Sequence, residues 1–197
     1  SGMEYPMLAN CGGSSPSPGF YILIYHEVGH QWFMGMIGSN QVDRPFLDEG
    51  FNVLGEHVTM EKYLGRDGNM DNFRTWYQRA FAPSTEDRDD RGFRPLMLLQ
   101  QQGHDQPMIF SYDQGEEYWP WRVSAYYKCA AMHYSLKSLL GDSAYFAAMR
   151  YYCKKWAFKH PYEDDFTQAI EDATGLELDP FLDQWYHSRH RLDYALS

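Results

Sequence analysis

The sequence predicts an α+β fold that is predominantly α-helical, with a short extended edge strand at its start. Three observations carry this. Apolar residues recur at three- and four-residue steps over several long stretches, the period of a helix with one buried face. Glycines such as Gly65 and Gly175 close some of these stretches, as expected at helix ends. Residues 2–8 read as extended instead, because Pro6 lacks a backbone donor and biases Tyr5 away from helix.

At 197 residues the chain suits one domain with a substantial core. Its 44% hydrophobic and 17% aromatic content excludes wholesale disorder and points to a well-filled interior or an aromatic-lined cleft. A formal net charge of −10 with no basic patch repels phosphate backbones, which excludes nucleic acid as an expected partner. Cys11, Cys129 and Cys153 are too few and too far apart for a disulfide framework, and none has a Cys-x-x-Cys metal spacing. The apolar run 20–25 is far shorter than the ~20 residues that span a bilayer. No basic stretch followed by an apolar one opens the sequence.

Taken in order, the Gly-, Ser- and Pro-rich residues 11–19 form a loop after the strand. Ile24, Val28, Trp32 and Met36 then predict one helix from about 20 to 37, ending near Gly38. After a turn at Asp43-Arg44-Pro45, residues 46–63 repeat the helical period and stop at Gly65. Residues 83–120 break any sustained period with Pro, Gly and Gln and an acidic-basic cluster at 86–91, so they read as a long loop with a solvated charged face. Helices follow at about 124–140, 143–156, 162–174 and 180–187. The single domain 1–197 thus divides into 1–66, a loop-rich 67–122 and a helical 123–197.

The chemistry is concentrated in His26-Glu27-Val28-Gly29-His30. Two imidazoles four residues apart on a helix share a face one turn apart and can reach one ion, for which both must be neutral. Glu27 follows the first histidine by ~100° of helical rotation, which sets its carboxylate beside the metal, where a base for a metal-activated water belongs. A catalytic zinc usually takes three protein ligands and leaves a fourth position open. Glu49 is the candidate third ligand, since residues 31–48 give the first helix room to end, turn and return antiparallel. Glu56, two turns further on, either orients a ligand histidine or is a surface or salt-bridged acid. The histidines at 57, 104, 133, 160, 187 and 190 fit no ligand spacing with this pair.

Three segments resemble motifs of the aminopeptidase N family of gluzincin metallopeptidases, which also contains leukotriene hydrolases. Ser1-Gly2-Met3-Glu4-Tyr5 is similar to the family's Gly-x-Met-Glu-Asn exopeptidase strand, with Tyr5 in place of Asn and the motif's first Gly lost or replaced by Ser1. HEVGHQWF (26–33) followed by FLDEGF (46–51) resembles its zinc motif and spacer, with Asp48 where Asn is commoner. Tyr126-Tyr127-Lys128-Cys129-Ala130 resembles its Tyr-x-Lys-Gly-Ala helix start, with Cys129 replacing Gly. Weaker similarity runs through 160–166 and 181–186, so the resemblance covers nearly the whole chain, and the zinc segments are its specific part.

The resemblance implies a thermolysin-like zincin catalytic domain holding one Zn2+ ion. It also implies an aminopeptidase acting on peptides with a free N-terminus, in which Glu4 binds the α-amine and Tyr126 donates a hydrogen bond to the developing oxyanion. Tyr127 and Tyr112 compete with Tyr126 for that role, and the interval from Glu49 to Tyr126 is longer than in the family's compact members. An endopeptidase of thermolysin type, with Glu4 a surface residue, and a non-catalytic or inactive fragment that keeps the zinc scaffold are the alternatives. Because the match starts at the exopeptidase strand, the chain is expected to be a fragment of a longer protein or a reduced version. Residues 2–8 are then expected to present an unpaired edge that invites self-association.

Overall fold

The chain opens with a hairpin in place of the expected lone strand. In the computed structural model, which describes residues 2–13, 18–64, 88–111 and 118–189, β1 (Gly2–Tyr5) pairs antiparallel with β2 (Leu8–Cys11). Pro6 and Met7 form the connection, with Met7 at φ 64°, so a proline followed by a left-handed residue turns the strand back on itself. Cys11 therefore belongs to a strand, and one edge of β1 is filled from within the chain.

Helix α1 (Pro18–Gly29) is shorter than its apolar period suggested. After His30 the chain leaves the helix in a series of turns, with Met34 at φ 99°. Val28 and Trp32, two members of the apparent stripe, are exposed, so that period does not mark a buried face. The turns are tied down elsewhere: Phe158 N–H donates to Met36 O at 2.6 Å and Gly38 N–H to Lys159 O at 2.9 Å.

A 3-10 turn (Pro45–Leu47), fully buried, leads into α2 (Glu49–Leu64); the expected stop at Gly65 lies outside the described residues. The region read as a long loop contains α3 (Arg88–Gln102), which accommodates Pro95 and ends before Gly103 at φ 75°. Its apolar signal was present in Phe93, Leu96 and Leu99 at three-residue steps, and the two leucines are buried against Val123 and Ala131. The side chains of the 86–91 charge cluster lie outside the described residues.

Next, α4 (Tyr118–Arg122), a π-helical stretch (Val123–Lys128) and α5 (Cys129–Leu140) run on without a break, so this helix starts six residues before the expected Ser124. Then come α6 (Asp142–Trp156), α7 (Glu163–Thr174) and α8 (Asp179–His187), close to their expected bounds. The physical cues worked here: α7 begins on three acids, its Asp165 accepts from Tyr162 N–H at 2.9 Å, and Gly175 closes it at φ 72°.

The core lies between α2 and the C-terminal helices. Phe51, fully buried and two residues after Glu49, meets Phe166 at 5.0 Å, His133 at 4.3 Å and Tyr152 at 5.9 Å between ring centroids. The end of α2 that carries Glu49 is thus seated by its own core side chain. None of the helices among the described residues is long and apolar enough to cross a membrane.

Phe51→Ala should cost about 3–5 kcal/mol of folding stability, the usual range for an aromatic deleted from a packed core, and a shifted urea midpoint would show it. His133 is fully buried, shares a hydrogen bond with Tyr145 OH at 2.9 Å, and burial pushes its pKa from 6.5 down to about 3. Between those values the folded state binds fewer protons than the unfolded chain, so stability falls as pH drops through 6.5 toward 3. His133→Gln is expected to flatten that part of a melting temperature against pH profile.

Candidate metal centre

His26 sits in the last turn of α1, and His30 follows one turn later, its N–H still bonded to His26 O at 3.3 Å. The histidine pair therefore needs only this one turn beyond the helix. Glu49 is the first residue of α2, which packs against α1, and the three side chains converge. Nε2 of His26 lies 3.1 Å from Glu49 Oε2 and 3.2 Å from His30 Nε2, and His30 Nε2 lies 3.3 Å from the same Glu49 oxygen. Donor atoms bound tetrahedrally to zinc at ~2.0–2.1 Å sit roughly 3.3 Å apart. The observed triangle fits that ion, and among the described residues this is the group of histidines, cysteines and acids able to hold a metal.

Each candidate ligand is held from behind. Asp48 Oδ1 lies 2.6 Å from His30 Nδ1, Glu56 Oε2 lies 3.3 Å from His26 Nδ1, and Tyr126 OH donates to Glu49 Oε1 at 2.5 Å. Carboxylates on the far ring nitrogens leave the Nε2 atoms facing one another and Glu49, the orientation that holding an ion would require. This places Glu56 behind a ligand histidine, one of its two sequence readings, and gives Asp48 a role that its sequence position alone did not suggest. Asn52 donates to His26 O at 2.6 Å, fixing the helix turn that carries the first histidine.

Burial opposes charge on His26, but hydrogen bonds to Glu49 and Glu56 outweigh it and hold the pKa up to about 9. For His30 burial is likewise outweighed, by Asp48 and Glu49, and the pKa rises to about 11. Burial alone would raise Glu49, yet the two imidazoles bring it down to about 2. The three ligands form a charge-paired cluster whose imidazole protons must leave when a metal enters.

Glu27 is buried, and its Oε2 has no hydrogen-bond partner among the described residues. Burial raises its pKa, partly opposed by His26 and His30. The hairpin backbone lies against it so closely that a Cβ added at Gly2 would overlap the carboxylate, so a side chain there would displace Glu27 from its present position. Glu4, on the same strand, lines the cleft of about 420 Å³ that also holds His26, Glu27, Glu49 and Tyr126. Two glutamines fix it there. Gln31 accepts from Met7 N–H at 2.8 Å and donates to Tyr5 O at 3.1 Å, and Gln41 Nε2 lies 2.6 Å from Asp48 Oδ2 and 3.4 Å from Glu4 Oε1. Sequence reasoning passed over both; Gln31 stands directly after the second histidine.

Tyr126 belongs to the π-helical stretch, a form that occurs mostly as short insertions and often at functional sites. Its ring stacks on His26 at 5.9 Å, and burial together with Glu49 pushes its pKa far up, so the phenol keeps its proton. Tyr127 turns toward Leu96 and Leu99 while also edging the cleft, and Tyr112 lies outside the described residues. The buried Lys128 explains the Tyr-x-Lys spacing: Nζ meets Asp105 Oδ2 at 3.0 Å, Gln106 O at 2.7 Å and Ser188 O at 2.9 Å, pinning the helix that carries Tyr126. Cys129, at the family's glycine position, packs where a Cβ on Gly50 would collide with it.

Two histidines and a glutamate from adjacent helices, with a glutamate beside them, form the ligand arrangement of the zinc metallopeptidase class. The model of the peptidase family M1 domain matches residues 19–185, and the chain belongs to that family. Aminopeptidase N of Lactobacillus helveticus is 27% identical over 166 residues, which cover 83% of this chain and 18% of that protein. Aminopeptidase M1-A of Oryza sativa subsp. japonica is 24% identical over 166 residues, covering 83% and 17%. An M1 zinc metallopeptidase structure from Deinococcus radiodurans shares the fold, with a TM-score of 0.64, 18% identity, and coverage of 87% of this chain and 34% of that one. The chain spans 18% of the length of the first of these relatives.

Glu49→Ala should abolish stoichiometric zinc retention. Asp48→Ala and Glu56→Ala should each weaken zinc by about 10- to 100-fold, the usual cost of losing a carboxylate behind a ligand histidine. Competition with a chromophoric chelator measures both effects.

Proposed function

We propose that this chain is the catalytic domain, 1–197 as a unit, of a zinc-dependent aminopeptidase that hydrolyses the N-terminal peptide bond of peptides. His26, His30 and Glu49 are the residues that would hold one Zn2+, which when bound supplies Lewis-acid activation of a water and of the scissile carbonyl. The observation that carries the proposal is a shared cleft: Glu4, Glu27, Tyr126 and the ligands His26 and Glu49 all line it.

Glu27 takes the proton from the attacking water and returns one to the leaving amine. Its placement against the backbone at Gly2 keeps the carboxylate dry and aimed into the cleft. Tyr126 donates its phenolic hydrogen to the oxygen on which negative charge develops, exchanging its present partner Glu49 for the substrate. Glu4 pairs with the substrate ammonium and thereby limits hydrolysis to the first peptide bond. Relatives described as aminopeptidases support the exopeptidase reading.

Aminoacyl-arylamides should be hydrolysed, with activity lost to a chelator and regained with zinc, while N-acetylated counterparts stay intact. Equal cleavage of the acetylated compounds would overturn the exopeptidase assignment. Glu27→Gln should retain zinc and lower kcat by roughly 10²- to 10⁴-fold. Glu4→Gln should chiefly raise KM for free-amine substrates.

A further inference from the structure

Among the described residues that line the cleft, Arg122 is a cation that the proposed reaction does not use. Arg122 ends α4, one helical turn before Tyr126, and is half-buried in the cleft wall. Its guanidinium carbon stands 5.1 Å from the centroid of the Tyr126 ring, and its hydrogen bond is a long one, to Tyr118 OH at 3.4 Å. Tyr118 is itself exposed.

None of the acids in the cleft is paired with it. Glu49 is engaged by both histidines and Tyr126, Glu56 stands behind His26, and Glu4 is approached by Gln41. Glu27 lies against Gly2. Among the described residues no carboxylate meets Arg122. A guanidinium offers five N–H donors in a planar fork that matches a carboxylate in two-point fashion, and here that fork lies over the Tyr126 ring. In a chain of net charge −10 whose cleft is otherwise acidic, such a cation also offsets the repulsion an anionic substrate would meet.

We infer that Arg122 is a specificity-determining residue that binds a substrate carboxylate beside the scissile bond, so that the chain favours peptides carrying one there. This rests on the aminopeptidase reading above. The carboxylate has two possible sources, an acidic side chain on the N-terminal residue or the C-terminus of a dipeptide. In both cases the charge lies within a few bonds of the carbonyl that Tyr126 addresses.

The test compares neutral and anionic isosteres in two arms. Glutamyl- against glutaminyl-arylamide reports the side-chain source, and Ala-Ala against Ala-Ala-amide reports the C-terminal source. In one arm the zinc-loaded native chain should favour the carboxylate by on the order of tenfold in kcat/KM, about what one charge-assisted hydrogen bond supplies. Arg122→Gln should erase that ratio and Arg122→Lys should keep part of it. Calorimetric titration of the same four compounds into the zinc-loaded Glu27→Gln variant, with and without Arg122→Gln, measures the preference without turnover. The carboxylate preference is therefore judged separately from the peptidase activity. Ratios near one in both arms would overturn the inference, as would a ratio that survives Arg122→Gln. An equal loss of kcat on all four compounds would instead make Arg122 a positioning residue for the Tyr126 ring and overturn it as well.

Discussion

The carboxylate of Glu49 is the point at which the structure is tied together. One of its oxygens faces the Nε2 atoms of His26 and His30, and the other accepts from Tyr126. Three segments far apart in sequence, α1 with its following turn, the start of α2, and the π-helical stretch, are held to one location by that group. Like-charged or unpaired groups at such spacing would be expensive in a buried site, so the cluster stays intact only while each member finds its partner. The same pairing that neutralises it without metal presents three donor atoms at the spacing a tetrahedral ion requires.

Everything around Glu49 keeps its position under tight control. Phe51 anchors the helix start in the aromatic core, and Gly50 lets the chain pass against Cys129 and within 2.7 Å of Ala125 O, as measured from the Cβ it lacks. From the other side, the buried Lys128 is held by three oxygens, two from the neighbouring Asp105 and Gln106 and one from the distant Ser188. Its ammonium fixes the rotation of the helix and therefore the direction of Tyr126. The hairpin is attached more lightly, through the two glutamines and the contact with Glu27, and it brings Glu4 to the same opening.

The helices of the C-terminal third were legible because their signals are local. Three acids open α7, Gly175 closes it, and a regular apolar period lies between. The stripe through Val28 and Trp32 misled because periodicity records spacing and says nothing about which face is covered. Pro95 and the flanking polar residues concealed α3, whose stability comes from Leu96 and Leu99 packing on Val123 and Ala131. The hairpin was read as a strand and a loop, since a proline before a left-handed methionine is a turn signal weaker than glycine would give.

By itself the sequence determined the ligand chemistry: two imidazoles four residues apart, a glutamate between them, and a carboxylate at a distance that permits a helix to return. Residue type and helical rise are enough for that, because the geometry repeats with the backbone. The tertiary structure decided what surrounds the candidate metal centre and which side chains reach it. Asp48 and Glu56 behind the histidines, the glutamines that hold the Glu4 hairpin, the choice of Tyr126 over Tyr127 as the partner of Glu49, and Arg122 without a carboxylate partner among the described residues all depend on side chains meeting across elements. Such meetings follow from how buried surfaces fit together, which no local period encodes.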